Sequence, residues 1–295
     1  MSTSSRPVVV GIGEVLWDLL PSGKQLGGAV MNFAYHAQAL GAEGIVVSCV
    51  GDDELGHEIL ARLNALGMSR EFVAIDPNHP TGTVDVAVDE KGVPTFTIHQ
   101  DVAWDFIPCP DKLIELARRA DAICFGTLAQ RSAMSRAAID RILAAARREC
   151  IRIFDINLRQ SYYSESTIEV SLKRAQVLKL NDQELPVLSR MLKLPGEPVS
   201  AMRELAGRYG LCVIALTRGA GGSLLYVQGR LFEHPGYPAD VVDTVGAGDA
   251  FTAALAVGLL RGEDPQAIND KANRLASFVC TQAGATPAIP GGMRG

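Results

Sequence analysis

The sequence predicts an α/β fold: a mostly parallel central sheet with helices on both faces, plus a small β-sheet lid. Three observations carry this. Short apolar runs rich in valine and isoleucine alternate with longer amphipathic stretches through most of the 295 residues. Runs such as Val8-Ile12, Ala122-Phe125 and Cys212-Leu216 lack interleaved polar residues, as strands covered on both faces do. Two excursions in the first third, alternating or split by a Pro/Gly turn, break the rhythm.

The elements follow in order. Val8-Ile12 is the first strand, uncharged and β-branched. Val15-Asp18 and Gln25-Gly28 form the first excursion, around a turn at Pro21-Ser22-Gly23. Helix Asn32-Leu40, strand Ile45-Cys49 and helix Glu54-Leu66 resume the alternation. Thr83-Val88 and Thr95-Ile98 then flank a hairpin turn at 89–94. The two excursions give four short strands, too few to stand alone. They are read as a lid over about 14–28 and 82–100 within a single domain covering 1–295. Beyond them come strands Ala122-Phe125, Ile151-Ile156, Val177-Leu180 and Cys212-Leu216. Helices are expected at Asp111-Arg119, Ser132-Arg148, Thr167-Ala175, Asp182-Met191, Val199-Tyr209, Asp249-Arg261 and Pro265-Gln282. In such sheets ligands bind beyond the carboxyl ends of the strands, so Asp155, Asn157, Asn181 and Thr217 should converge on one crevice.

Composition excludes several functions. A net charge of −5 without a Lys/Arg-rich block argues against nucleic acid or an anionic membrane as partner. No apolar run is long enough for a membrane span, and the first residues do not read as a signal peptide. The six scattered cysteines contain no C-x-x-C pair and read as buried free thiols of a cytoplasmic protein. The five histidines have no metal-ligand spacing. Gly11-Ile12-Gly13 lacks the third glycine of a dinucleotide fingerprint, Leu16 standing in its place, and Gly23-Lys24 lacks the upstream glycine of a Walker-A loop.

Asp243-Thr244-Val245-Gly246-Ala247-Gly248-Asp249 runs straight into an apolar helix. Small residues let backbone N–H groups approach a ligand, and the first N–H groups of a helix attract phosphate. Asp249 is either a plain helix cap or a base beside that phosphate.

Leu26-Gly27-Gly28-Ala29-Val30-Met31-Asn32-Phe33-Ala34, then Asn181-Asp182-Gln183-Glu184, then the Asp243–Asp249 stretch follow in order. Together they resemble the ribokinase-like (PfkB-type) carbohydrate kinases over nearly the whole chain, and Gly13-Glu14-Val15-Leu16-Trp17-Asp18 looks most like bacterial fructokinases. Val30 stands where that family carries proline, glycine or alanine. The resemblance implies ATP-dependent transfer of a phosphoryl group to a small sugar, fructose first. A 2-keto-3-deoxygluconate kinase, a nucleoside kinase of the same superfamily and a non-catalytic sugar sensor are the alternatives.

By the same resemblance Asp249 is the catalytic base, with Gly246, Ala247 and Gly248 as the anion hole. Asp18, Gly28, Asn32, Phe96 and Arg159 meet the sugar. Lys179, Asn181, Thr217, Gly219, Gly222 and Asn273 line the nucleotide. Glu184 organises Mg2+ through water, and Asp243 lies near an activating monovalent cation such as K+. A homodimer through the lid is a further expectation. Taken singly, Asp18 could be a turn carboxylate, Asn32 a helix cap, Arg159 and Glu184 surface charges, and Phe96 lid packing.

Overall fold

The computed structural model describes residues 6–21, 23–88 and 94–294. The hairpin turn expected at 89–94 lies, for 89–93, outside the described residues, as do Ser22 of the first turn and the N-terminal residues 1–5. In chain order the elements are β1 (Val8–Ile12), β2 (Leu16–Leu20), β3 (Gly23–Gly27), α1 (Ala29–Ala39), β4 (Glu43–Gly51), α2 (Glu54–Ala65) and β5 (Val73–Asp76). Then come β6 (Thr83–Val88), β7 (Pro94–Ile98), α3 (Asp111–Arg119), β8 (Ala122–Phe125), α4 (Ala133–Ala145), β9 (Ile151–Asp155) and α5 (Glu165–Arg174). The remainder are β10 (Val177–Asn181), α6 (Glu184–Leu192), α7 (Pro198–Tyr209), β11 (Val213–Thr217), β12 (Ser223–Val227), β13 (Arg230–His234), α8 (Ala247–Leu260) and α9 (Pro265–Cys280).

A nine-stranded sheet runs β13-β12-β11-β10-β9-β8-β1-β4-β5. It is parallel from β11 to β5, and β12 and β13 are antiparallel additions at one edge. Successive side chains alternate between two cores, as the period of a strand requires. Val8, Val10 and Ile12 join the residues of α3 to α7 on one face, whereas Val9 joins α1, α2, α8 and α9 on the other. The same alternation puts Asp155 and Lys179 on the α8 side, in register with each other.

The second sheet has four strands in the order β3-β2-β6-β7, with β2 and β6 parallel. Leu16, Val84, Val86 and Ile98 root it in the α3–α7 core. Trp17 Nε1 donates to Leu55 O at 3.0 Å, pinning β2 to α2.

Several expectations need correction. Helix α1 starts at Ala29 rather than Asn32, because the Glu14 carboxylate accepts from Ala29 N at 3.2 Å and so caps the helix from a distant strand end. Strands β5, β12 and β13 were not anticipated; β13 is polar and largely exposed at the sheet edge, with no apolar run to read. Cys49, Cys124 and Cys150 are buried free thiols, but Cys109 and Cys280 are half-buried and Cys212 is exposed, just ahead of β11. No helix among the described residues is long and apolar enough to cross a membrane.

Asp53 is a structural anchor. It caps α2 by accepting from Gly56 N at 2.7 Å, and it also accepts from Thr81 N at 2.8 Å and Thr81 Oγ1 at 2.6 Å, fixing the approach to β6. Replacing it (Asp53→Ala) strands those donors and should cost about 2 kcal/mol. Thermal unfolding of the variant is expected roughly 5 °C lower; an unchanged midpoint would refute the anchor.

Candidate active site

The carboxyl ends of β1, β9, β10 and β11 open on one crevice, and the N-terminus of α8 points into it. Gly246 caps that helix at φ 80 and packs so closely on Ala285 that a Cβ would lie 2.7 Å from its atoms. Only glycine gives this entry to the helix. Among the described residues no protein acceptor meets the N–H groups of Gly246, Gly248 or Asp249, while the Ala247 N–H turns to Thr244 O at 3.3 Å. Free amides at a helix start are an anion-binding feature.

Asp249, on the first turn of α8, accepts a 2.8 Å hydrogen bond from Asn32 Nδ2 on α1, 217 positions away in sequence. Asn32 is buried inside α1 and does not cap it; its Oδ1 has no partner among the described residues and is free for a ligand hydroxyl. Burial first, and the Asp155 charge second, push the Asp249 carboxyl up to about 6. The Asn32 hydrogen bond and the positive Lys179 and Arg159 oppose that rise. A carboxyl balanced in this way is a competent proton acceptor near neutral pH.

Lys179 is buried and paired with Asp155 Oδ1 at 3.2 Å. Its Nζ lies only 3.0 Å from where a Cβ on Gly248 would stand, so that glycine admits the ammonium to the start of α8. Burial opposes the charge, yet Asp155, Glu184 and Asp249 more than offset it and hold the lysine pKa above its ordinary value. Thr252 Oγ1 donates to Asp155 Oδ2 at 2.9 Å and completes the clamp from α8.

Glu184 is buried too. Its Oε1 accepts from Leu158 N and its Oε2 from Asn181 N, both at 2.8 Å. Asn181 Oδ1 in return accepts from Gln183 N and Glu184 N, closing the end of β10 onto α6. Burial above all raises the Glu184 pKa, against the pull of Lys179. No group of three His, Cys, Asp or Glu among the described residues is arranged to hold a metal.

The sugar-side residues surround the mouth of β1. Asp18, on β2, lies so near Gly27 that a Cβ there would sit 2.5 Å from its Oδ2. Gly28 has φ 115, with the Glu14 carbonyl filling the space a side chain would need. Burial raises Asp18 to about 6, with the Arg159 charge opposing. Arg159 is exposed on the segment after β9, donates from Nη1 to Leu158 O at 3.1 Å, and its charge lowers the pKa values of Glu14, Asp18 and Asp249. Phe96 stands on β7 with half its surface exposed.

Along the nucleotide-side residues, Thr217 ends β11. Gly219 and Gly222 follow with φ of 52 and 77 in a tight loop closed by Arg218 N donating to Gly222 O at 2.8 Å. Asn273 is buried, its amide spent on Ser223 Oγ and Asn269 O at 2.7 Å each. Asp243 accepts from Val245 N at 3.0 Å and Gly284 N at 3.1 Å, tying the loop before α8 to the segment after α9.

Two participants escaped sequence reasoning. Glu14 is buried beside Asp249 and Arg159, and burial lifts it to about 7; an acid two residues past a central strand was the available signal. His36, fully buried, bonds through Nε2 to Ala285 O at 2.9 Å behind the anion site, and burial lowers its pKa to about 4, which keeps it neutral. No sequence signal marked it.

With that geometry described, comparison with known proteins is informative. The sequence profile of the pfkB family carbohydrate kinases matches residues 22–291. A fructokinase from Klebsiella pneumoniae is 28% identical over 95% of this chain and 95% of its own length. The crystal structure of a fructokinase from Vibrio cholerae O395, in fructose-, ADP- and calcium-bound form, superposes with a TM-score of 0.81 at 24% identity, covering 97% of each chain. The aminoimidazole riboside kinase of Salmonella enterica, complexed with aminoimidazole riboside and an ATP analogue, gives 0.77 at 25% identity and 96% of each chain. The profile match spans far more than half of the sequence and takes in the Leu26–Ala34, Asn181–Glu184 and Asp243–Asp249 motifs, so this chain belongs to the pfkB family of carbohydrate kinases.

Proposed function

We propose that this protein is an ATP-dependent fructokinase, and that the observation carrying this reading is the Asp249 carboxylate held by Asn32 beside the free amides that open α8. A primary hydroxyl of the sugar loses its proton to Asp249 as its oxygen attacks the terminal phosphorus; the bond to the bridging oxygen breaks and ADP leaves. The amides of Gly246 and Gly248, together with Lys179, meet the charge growing on the phosphoryl oxygens. Asp18, Asn32 and the Gly28 backbone hold the sugar hydroxyls. The four-stranded sheet, carrying Phe96, closes over them as a lid and keeps water from the phosphate.

The residues fit a magnesium nucleotide. Each Glu184 oxygen accepts one amide and keeps a lone pair for a metal-bound water, in line with an ion that retains much of its hydration. Magnesium, when bound, neutralises charge on the bridging phosphates. Thr217, Gly219 and Gly222 offer a backbone loop to the phosphates. Asp243 likewise keeps a lone pair on each oxygen for a monovalent cation.

Charge supports a neutral sugar over a sugar acid. Asp18, Glu14 and Asp249 face the pocket against the single exposed Arg159. Of the other cations near the lid, Arg131 is committed to Asp105 at 2.8 Å and Lys24 on β3 to Glu58, and Tyr162 donates its hydroxyl to Ile98 O at 3.2 Å. A carboxylate on the substrate would meet repulsion with little to offset it.

Measured as ADP release with fructose, ribose, 2-keto-3-deoxygluconate and adenosine, turnover should be fastest with fructose; a preference for any of the others would overturn the substrate assignment. Asp249→Asn is expected to lower turnover at least a hundredfold while ATP and fructose still bind. A base with a pKa of about 6 must be ionised to act, so kcat/KM should fall tenfold per pH unit below about 6 and level off above it. A flat profile from pH 5 to 8 would remove Asp249 from that role.

A further inference from the structure

We propose that Gln160 is a positioning residue that couples the four-stranded sheet over the sugar to the Glu184 side of the nucleotide site, so that each substrate tightens the binding of the other. The inference rests on the kinase reading above and extends it to how the two half-sites communicate.

The segment that leaves β9 touches both. At its start the Thr127 hydroxyl donates to Ile156 O at 2.8 Å. Leu158 N then donates to Glu184 Oε1 at 2.8 Å. Two residues later Gln160 Nε2 donates to Phe96 O at 2.7 Å, and Tyr162 Oη donates to Ile98 O at 3.2 Å. Both acceptors lie on β7, the edge strand of the small sheet, whose outer carbonyls have no neighbouring strand among the described residues. Side-chain donors therefore hold that edge in place of a further backbone ladder, a contact that can be released and remade.

Backbone conformation points the same way. Asn157 and Gln160 bracket Leu158 and Arg159 with φ of 43 and 48. Non-glycine residues take such values uncommonly, and when they do they are found at caps and turns and gather at functional sites. Here the bracketed pair carries the amide that holds Glu184 and the guanidinium whose charge lowers the pKa values of Asp18 and Asp249. A change in the height of β7 is thus transmitted through Gln160 to the backbone that fixes Glu184. Gln160 is itself exposed, so its hydrogen bond adds little to the stability of the fold. Two sites that share one such element influence each other reciprocally.

Calorimetric titration tests this with fructose, or with whichever sugar of the panel is phosphorylated, so that a wrong sugar changes only the reagent. The sugar Kd is measured with and without a magnesium complex of a non-hydrolysable ATP analogue, and the analogue Kd with and without sugar. In the wild type each ligand should tighten the other about tenfold. In Gln160→Ala and Gln160→Glu, which lack the donor, that ratio is expected to fall below about twofold with an unchanged unfolding temperature. Gln160→Lys, which keeps an N–H donor on a long side chain, should restore it. Wild-type coupling in Gln160→Ala, no coupling in the wild type, failure of Gln160→Lys to restore it, or loss of coupling only alongside a lowered unfolding temperature would each overturn the proposal.

Discussion

The buried ammonium of Lys179 is the constraint on which the crevice depends. Asp155, Glu184 and Asp249 all stand within its field, and burial raises the pKa of the last two. Burial favours the neutral form of a carboxyl, and a neighbouring cation opposes that. In the proposed reaction a neutral Asp249 could not take a proton. The Asn32 hydrogen bond, Lys179 and Arg159 together oppose that rise at Asp249, and Thr252 and Asp155 hold the lysine in place. In the proposed reaction Lys179 would thus help keep a base charged as well as meet a phosphate. The register of β9 and β10, which sets Lys179 opposite Asp155, makes this possible.

Most of the fold was legible because parallel strands buried on both faces are largely apolar, and β1 and β8 are continuously so. Two of the elements that escaped reading lack such a signature, whereas β12 carries a largely buried apolar run, Leu224 to Val227, that went unread. β5 is a short edge strand and β13 is polar and exposed, so neither needs an apolar run. The start of α1 was misjudged for a different reason: its cap, Glu14, comes from another element and is invisible in the helix's own sequence. The turn at 89–93 lies outside the described residues.

The site divides along the same line. Gly246, Gly248 and Asp249 could be found because helix-start chemistry is local: free amides, a residue type that clears them, and an acid one turn in. What could not be read was which groups meet across the fold. Asn32 finding Asp249, Glu14 rising beside Arg159, and His36 bracing Ala285 are all consequences of strand order and helix packing. Asn273 illustrates the reverse, since its amide is absorbed by Ser223 and Asn269 in a buried polar network. Motifs identify which residues are present; topology decides what each of them faces.

The long-range bonds of α1 also bear on synthesis at the ribosome. Asn32, Tyr35 and His36 find their partners at Asp249, Pro287 and Ala285. One apolar face of the sheet stays only partly covered, by α1 and α2, until α8 and α9 have emerged to complete its core. The nascent chain thus carries a partly uncovered greasy surface through most of translation, a stretch during which chaperones would have their strongest hold on it. A prematurely terminated product lacking α8 would be without Asp249 and the free amides that open that helix.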